Sequence, residues 1–343
     1  MGHEIDLKNY EIRTDLVLET IENKSSNIET KTSEYGNIKV TKVIVDSDAS
    51  ILINKKEGTY ITIEFNDVTD TDNRNKIEEV LITELKELLK ELNITDKDSV
   101  LIIGLGNEKS TPDSLGPKVI EKALVTRHLF LIGEKTEEGI RCTSALNPGV
   151  MATTGIETSD LVKAVASDIK PSLVIVVDAL AASSISRINK SIQITSAGIN
   201  PGSGVGNKRK EISFDTLGIP TIGIGVPTVV ESSTIVYDTI NYLFKHISYI
   251  KENQNKNKLI FTRNNYLEKI KDRTLSTEEQ KNILGLIGEL SDMEKKNLIN
   301  EVLNSINYNF IVTPKEVDFQ IDCLVDLLSN GINKSLHYQK SVK

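Results

Sequence analysis

Three patterns of apolar and polar positions succeed one another along the chain. NIKVTKVIV (37–45) and TYITIEF (59–65) alternate and are rich in β-branched residues. Such segments predict strands, antiparallel or at a sheet edge. NRNKIEEVLITELKELLKEL (73–92) carries Ile77, Val80, Leu81, Leu85, Leu88, Leu89 and Leu92 on one stripe at helical spacing, with charges opposite. That stripe predicts a helix packed on a neighbour. Residues 1–36 are polar and keep no period, with KSSNIETKTSEYGN at 24–37, and are expected to form an extended arm.

From residue 98 the apolar runs become short and continuous. SVLIIGLG (99–106), LVIVVD (173–178), SIQIT (191–195) and PTIGIGV (220–226) read as buried strands. TSDLVKAVASDI (158–169) and TVVESSTIVYDTINYLFKHI (228–247) read as helices between and after them. Alternating strands and helices predict an α/β fold: a mostly parallel sheet with helices on both faces, a β-strand or hairpin addition at about 37–66, and a C-terminal helical section. Residues 251–274 are polar and read as a connector. STEEQKNILGLIGEL, SDMEKKNLINEVLNSI and TPKEVDFQIDCLVDLLSNGI then each open on a cap and continue with a helical period, which makes 275–343 helical. The core is expected over 16–250.

Composition narrows the function. With 343 residues the chain can bury a full core. A net charge of −8 argues against a general nucleic-acid binder, which carries a basic excess. The two cysteines, Cys142 and Cys323, form no CxxC, which favours a reduced compartment. No apolar stretch approaches the roughly 20 residues that cross a bilayer, and the polar N-terminus is unlike a signal peptide. A cytoplasmic protein that makes no membrane contact is expected.

In open α/β sheets, sites gather beyond the carboxyl ends of the parallel strands. Two apolar strands deliver an acid there: GLGNEKSTPDSLGPK (104–118) carries Asp113, and LVIVVD ends in Asp178. Each has a bland reading, Asp113 as a cap or turn residue before a helix at Leu115, and Asp178 as the N-cap of a helix ALAASSISR. Together they suggest carboxylates that share a proton, one activating water and the other protonating a leaving group. Glycine-rich SAGINPGSGVGNKRKE (196–211) fits neither nucleotide-binding glycine motif and is read as a loop near the site. Glu157 is read as a first-turn residue complementing a helix dipole. The four histidines are scattered without HExxH spacing, no G-x-S-x-G is present, and Cys142 has no evident base.

GLGNEKSTPDSLGPK, TRHLF, NPGVMATTGIETSD, VVDALAA, INPGSGVGNKRKEIS and VTPKEVD, in this order, resemble the germination protease family of spore-forming bacteria. The resemblance runs from IDLKNYEIRTDL to the last helix. It implies an endopeptidase made as a self-processing zymogen, which at germination degrades small acid-soluble spore proteins in the spore core. It further implies a homotetramer in forespore and spore, no direct nucleic-acid partner, and two catalytic aspartates matching Asp113 and Asp178. The implied fold is similar to that of hydrogenase-maturation peptidases, whose acids handle a metal. Metal-assisted hydrolysis by the same acids is therefore the alternative to a metal-free, cofactor-free pair.

The resemblance also implies cleavage after an acidic residue in a Thr-acid-large apolar-small context. TDLVLE (14–19) is similar to that sequence, with self-cleavage between Asp15 and Leu16, so 1–15 are expected to be a propeptide. Val17 departs from the small alanine usual in the motif. By its residues alone, TDLVLE reads rather as a capped helix start.

Overall fold

The computed structural model describes residues 14–24, 28–134, 136–202, 209–253, 270 and 272–337. The chain divides into two compact units. Arg13–Ala182, Ser186–Val229 and Thr313–Lys343 form the larger, while Ser183–Ile185 and Val230–Val312 belong to the smaller. The expected connector lies largely outside the described residues, as does the expected propeptide except Thr14 and Asp15.

The larger unit is built on an open mixed sheet of order β1-β2-β3-β7-β8-β6-β4-β5. Its strands are β1 (Thr30–Tyr35), β2 (Ile38–Val45), β3 (Gly58–Glu64), β4 (Val100–Gly104), β5 (Thr143–Leu146), β6 (Leu173–Ala182), β7 (Ser191–Thr195) and β8 (Thr221–Glu231). β6 and β4, both predicted from their apolar runs, pair parallel, and β4 also pairs parallel with β5, which no apolar run marks. β1, β2, β3 and β7 pair antiparallel, and β7 also runs antiparallel to β8. SIQIT therefore departs from the parallel direction: it joins the N-terminal hairpin to the core.

Alternation along the strands assigns two faces. On one, Ile102, Ile175, Val177, Ile194 and Ile224 pack against α3 (Thr71–Glu91), α4 (Leu115–Glu121) and the C-terminal helix Val317–Leu336. On the other, Leu101, Ile103, Val174 and Val176 pack against the helix Thr158–Ile169. At the hairpin end of the sheet, Val43, Val45 and Tyr60 cover α1 (Val17–Lys24) and α2 (Ser47–Ile53). Helices thus lie on both faces.

Three segments depart from the sequence expectation. Residues 14–24 and 28–36 are not an extended arm, because Leu16, Val17, Leu18 and Ile21 are buried and 17–24 fold as α1, while 30–35 form the largely exposed edge strand β1. ALAASSISR is not a helix: β6 continues through the buried Leu180, Ala181 and Ala182, so Asp178 sits inside a strand. The strand read at 220–226 runs on to Glu231, since β-branched Thr228, Val229 and Val230 prolong it, and the next helix starts at Ser232.

In the smaller unit, the helix Ser232–Asn253 is followed by Thr277–Leu284, Leu286–Glu289 and Asp292–Ser305. Ser276 and Ser291 each begin a helix with a reciprocal capping box, as their sequences predict. A short strand, Ile311–Val312, pairs with Val230 and Glu231.

Candidate active site

Asp178 lies where β4 ends against β6. Gly104 is in register with Val177, and the Leu105 N–H donates to the Val177 carbonyl at 2.8 Å. Strand alternation turns Asp178 to the face of Val174 and Val176, and the side chain is only 6 % exposed. Its Oδ1 accepts the Ala179 N–H at 2.9 Å, a bond to its own neighbour and not to a following helix.

Asp113 reaches the same place from the loop after β4. It ends a short 3-10 turn, Thr111–Asp113, and Ser114, not Asp113, occupies the cap position of α4. The Asn107 N–H donates to the Asp113 carboxylate at 2.8 Å and to its carbonyl at 3.0 Å. Two glycines permit this. Gly106 has φ +117°, and a Cβ there would lie 2.0 Å from the Asp113 carbonyl oxygen. A Cβ on Gly116 would lie 2.2 Å from the Leu105 carbonyl and 2.7 Å from that of Val177, so α4 can seat on both strand ends only with glycine.

The two acids feel each other. Burial is the largest cause that holds the Asp178 carboxyl well above the usual carboxylate range, and the charges of Asp113 and Asp15 add to it. Burial also raises Asp113, but the Asn107 N–H and the Arg209 guanidinium pull it back. Asp178 is thus the better proton holder and Asp113 the readier anion. Arg209 belongs to the loop read as lying near the site, and its charge opposes the rise at both acids.

The surprise of the site is Asp15. Its N–H donates to the Ala181 carbonyl at 3.1 Å, and its carboxylate accepts the Ala181 N–H at 2.9 Å. The segment therefore lies along the part of β6 that follows Asp178. The Asp15 carbonyl accepts from Gln193 Nε2 at 3.2 Å and from Lys55 Nζ at 3.4 Å. On the far side of the bond, the Val17 N–H donates to Gln193 Oε1 at 2.8 Å, and the Leu16 N–H donates to Thr14 Oγ1 at 3.1 Å. The structure brings Asp113, Asp178, Asp15 and Leu16 together. Gln193 and Lys55 carry no motif that would have marked them.

Other candidates fall away on chemistry. Burial raises the Cys142 thiol, with the Arg127 charge only opposing it, and burial likewise raises Cys323; neither is a poised thiolate. His337 is buried and held neutral by that burial and by Arg141. Glu157 takes the cap position of the helix Thr158–Ile169, and its buried Oε1 has no hydrogen-bond partner. Among the described residues no three His, Cys, Asp or Glu side chains gather as a metal-binding set. No described helix is long and apolar enough to cross a membrane.

A family profile described as germination protease matches residues 5–343. The chain belongs to the germination protease family. It is 44% identical to the germination protease of Bacillus subtilis over 355 aligned residues, covering 98% of this chain and 96% of that protein. The germination protease of Priestia megaterium is 43% identical, with 99% and 97% covered. That of Oceanobacillus iheyensis is 44% identical, with 97% and 96% covered. Family membership makes the chain a peptidase.

Proposed function

We propose that the chain is a self-processing endopeptidase zymogen, that Asp113 and Asp178 activate its water, and that Asp15–Leu16 is the bond it cuts in itself. The observation that carries this reading is the bonding of the Asp15 segment to β6 beside Asp178. The pair starts with one proton, on Asp178. Water attacks the Asp15 carbonyl carbon and gives a proton to the Asp113 carboxylate, while its oxygen bonds to that carbon. The C–N bond then breaks, and the Asp178 proton passes to the departing Leu16 nitrogen. Residue 15 gains a carboxyl group, Leu16 gains an amine, and the pair ends with one proton as it began.

Cleavage there would release residues 1–15 and leave Leu16 and Val17, both buried, as anchors of the new N-terminus. The substrates in this reading are small acid-soluble spore proteins, cut after an acidic residue at germination by a homotetramer in the spore core. No nucleic acid is contacted directly. A small acid-soluble protein offered to purified enzyme is the direct assay, and sedimentation tests the tetramer.

Asp113→Asn and Asp178→Asn keep the side-chain shape and remove the ionisable group. Each is expected to slow self-cleavage, read by intact mass, by about 10²–10⁴-fold. Near-normal processing by either variant would sink the pair. Activity lost to a strong chelator and restored by one metal would transfer the same acids to metal-assisted hydrolysis.

A further inference from the structure

The carbonyl of residue 15 is where donors from two separate elements meet. Gln193 stands on β7 and is 6% exposed; alternation puts it on the sheet face opposite Ile192 and Ile194. Its amide cannot be turned over without loss, because Oε1 must accept the Val17 N–H, which commits Nε2 to the Asp15 carbonyl. Lys55 follows α2, which ends in the left-handed Asn54 (φ 55°) and is pinned by the buried Ile53. Its ammonium donates to the Thr14 carbonyl at 2.8 Å and to the Asp15 carbonyl at 3.4 Å.

We propose that Gln193 and Lys55 form the oxyanion site of the self-cleavage reaction, with Gln193 also fixing the bond by holding the chain on both sides of it. This rests on the reading that Asp15–Leu16 is the bond cut. When water adds to the Asp15 carbonyl carbon, the C=O π pair moves to oxygen and the oxygen becomes anionic. A buried amide donor and an ammonium already aimed at that oxygen are stabilised by the new charge more than by the neutral carbonyl. When the C–N bond breaks, the pair returns to the carbonyl. The Leu16 nitrogen takes its proton from Asp178, so neither Gln193 nor Lys55 gains or loses one. Gln193 bonds to Asp15 and Val17, one residue on each side of Leu16, and this limits rotation about the scissile bond before attack.

The test uses the full chain and follows self-cleavage by intact mass in wild type, Lys55→Met, Lys55→Arg and Gln193→Leu. Hydrolysis of a peptide cut after aspartate by the processed enzymes runs alongside. Lys55→Met and Gln193→Leu are each expected to slow self-cleavage by about 10²-fold. Lys55→Arg, which keeps the cation, should remain within about tenfold of wild type. With the peptide, kcat should fall at nearly constant KM. A higher KM at unchanged kcat would mark these residues as ground-state binders and overturn the proposal. Wild-type rates in Lys55→Met and Gln193→Leu, with the cut still at 15–16 and still abolished by Asp178→Asn, would overturn the proposal and leave the aspartate reading standing. Cleavage that survives Asp178→Asn, or falls at another bond, would remove both.

Discussion

Asp178, buried, and Arg187, largely buried, are ionisable side chains of the larger unit only nine residues apart, and they are treated in opposite ways. Arg187 is surrounded by partners. Its guanidinium makes a two-pronged bond to Glu22 at 2.8 and 2.8 Å, meets Glu64 at 3.1 Å, and lies 3.6 Å from Glu19. Burial alone would lower its pKa, but the Glu22 bonds and the charges of Glu22, Glu19 and Glu64 outweigh that and raise it. Asp178 has the reverse company: two further carboxylates, Asp113 and Asp15, with the Arg209 charge opposing them. A buried charge that serves stability is paired, and one left among like charges is held for chemistry. Glu19 and Glu22 belong to α1, directly after the Asp15–Leu16 bond, so the Arg187 cluster ties down the chain that Asp178 is proposed to act beside.

The largest effect on stability is expected from the paired charge. Arg187→Met keeps much of the apolar stem and removes the cation, which leaves the almost fully buried Glu19 beside Glu22 and Glu64. The loss should be about 2 kcal/mol, read from urea midpoints, because the buried Glu19 loses its cation while Glu22 and Glu64 stay partly solvated. A loss below about 0.5 kcal/mol would reduce the cluster to an ordinary surface pair and erase the contrast.

Asp178→Asn should move stability the other way while stopping cleavage. The folded-state pKa of Asp178 is raised, so the folded chain binds more protons than the unfolded chain once pH exceeds the ordinary carboxylate value. Stability from this group is full below that value and is lost as pH rises through the raised one. The asparagine variant carries no such loss. Its melting temperature should exceed wild type at pH 7.5, by about 2–4 °C per kcal/mol relieved, and the gap should narrow toward pH 4. Both samples must be uncleaved by intact mass. A gap that is constant with pH would mean the carboxyl is not strained by burial.

Most of the fold is legible because apolar periodicity is written locally. The stripe from Ile77 to Leu89 and the runs at 100–104 and 173–177 are buried as their patterns demand. What stayed hidden depends on long-range partners. SIQIT is a buried strand, as its sequence reads, but nothing in it says what the polar Gln193 and Thr195 meet. Gln193 bonds to residues 176 and 178 positions away in the chain. Likewise, no local signal says that Asp15 would pair with Ala181. Asp113 and Asp178 could be nominated because each follows an apolar run at a predictable rim. Lys55 could not, since a lysine after a helix is the most ordinary surface residue.

The finest division in the comparison is between two neighbouring cations, Arg209 and Lys210. Lys210 is exposed and spends its charge on Asp160, with both carboxylate oxygens at 2.9 Å. Arg209 acts on the acids, where its charge opposes the upward shift of both Asp113 and Asp178. Arg209→Met should therefore raise both carboxyl pKa values further, and the acid limb of the self-cleavage rate should move to higher pH. The shift should be modest, because an incompletely buried cation acts through a partly aqueous path. Lys210→Met is the control: it breaks an exposed ion pair and should leave the limb where it is. If the two variants moved the limb equally, the loop would act through general electrostatics. A limb that moves for Arg209→Met alone assigns the setting of the pair's proton to one side chain of the glycine-rich segment.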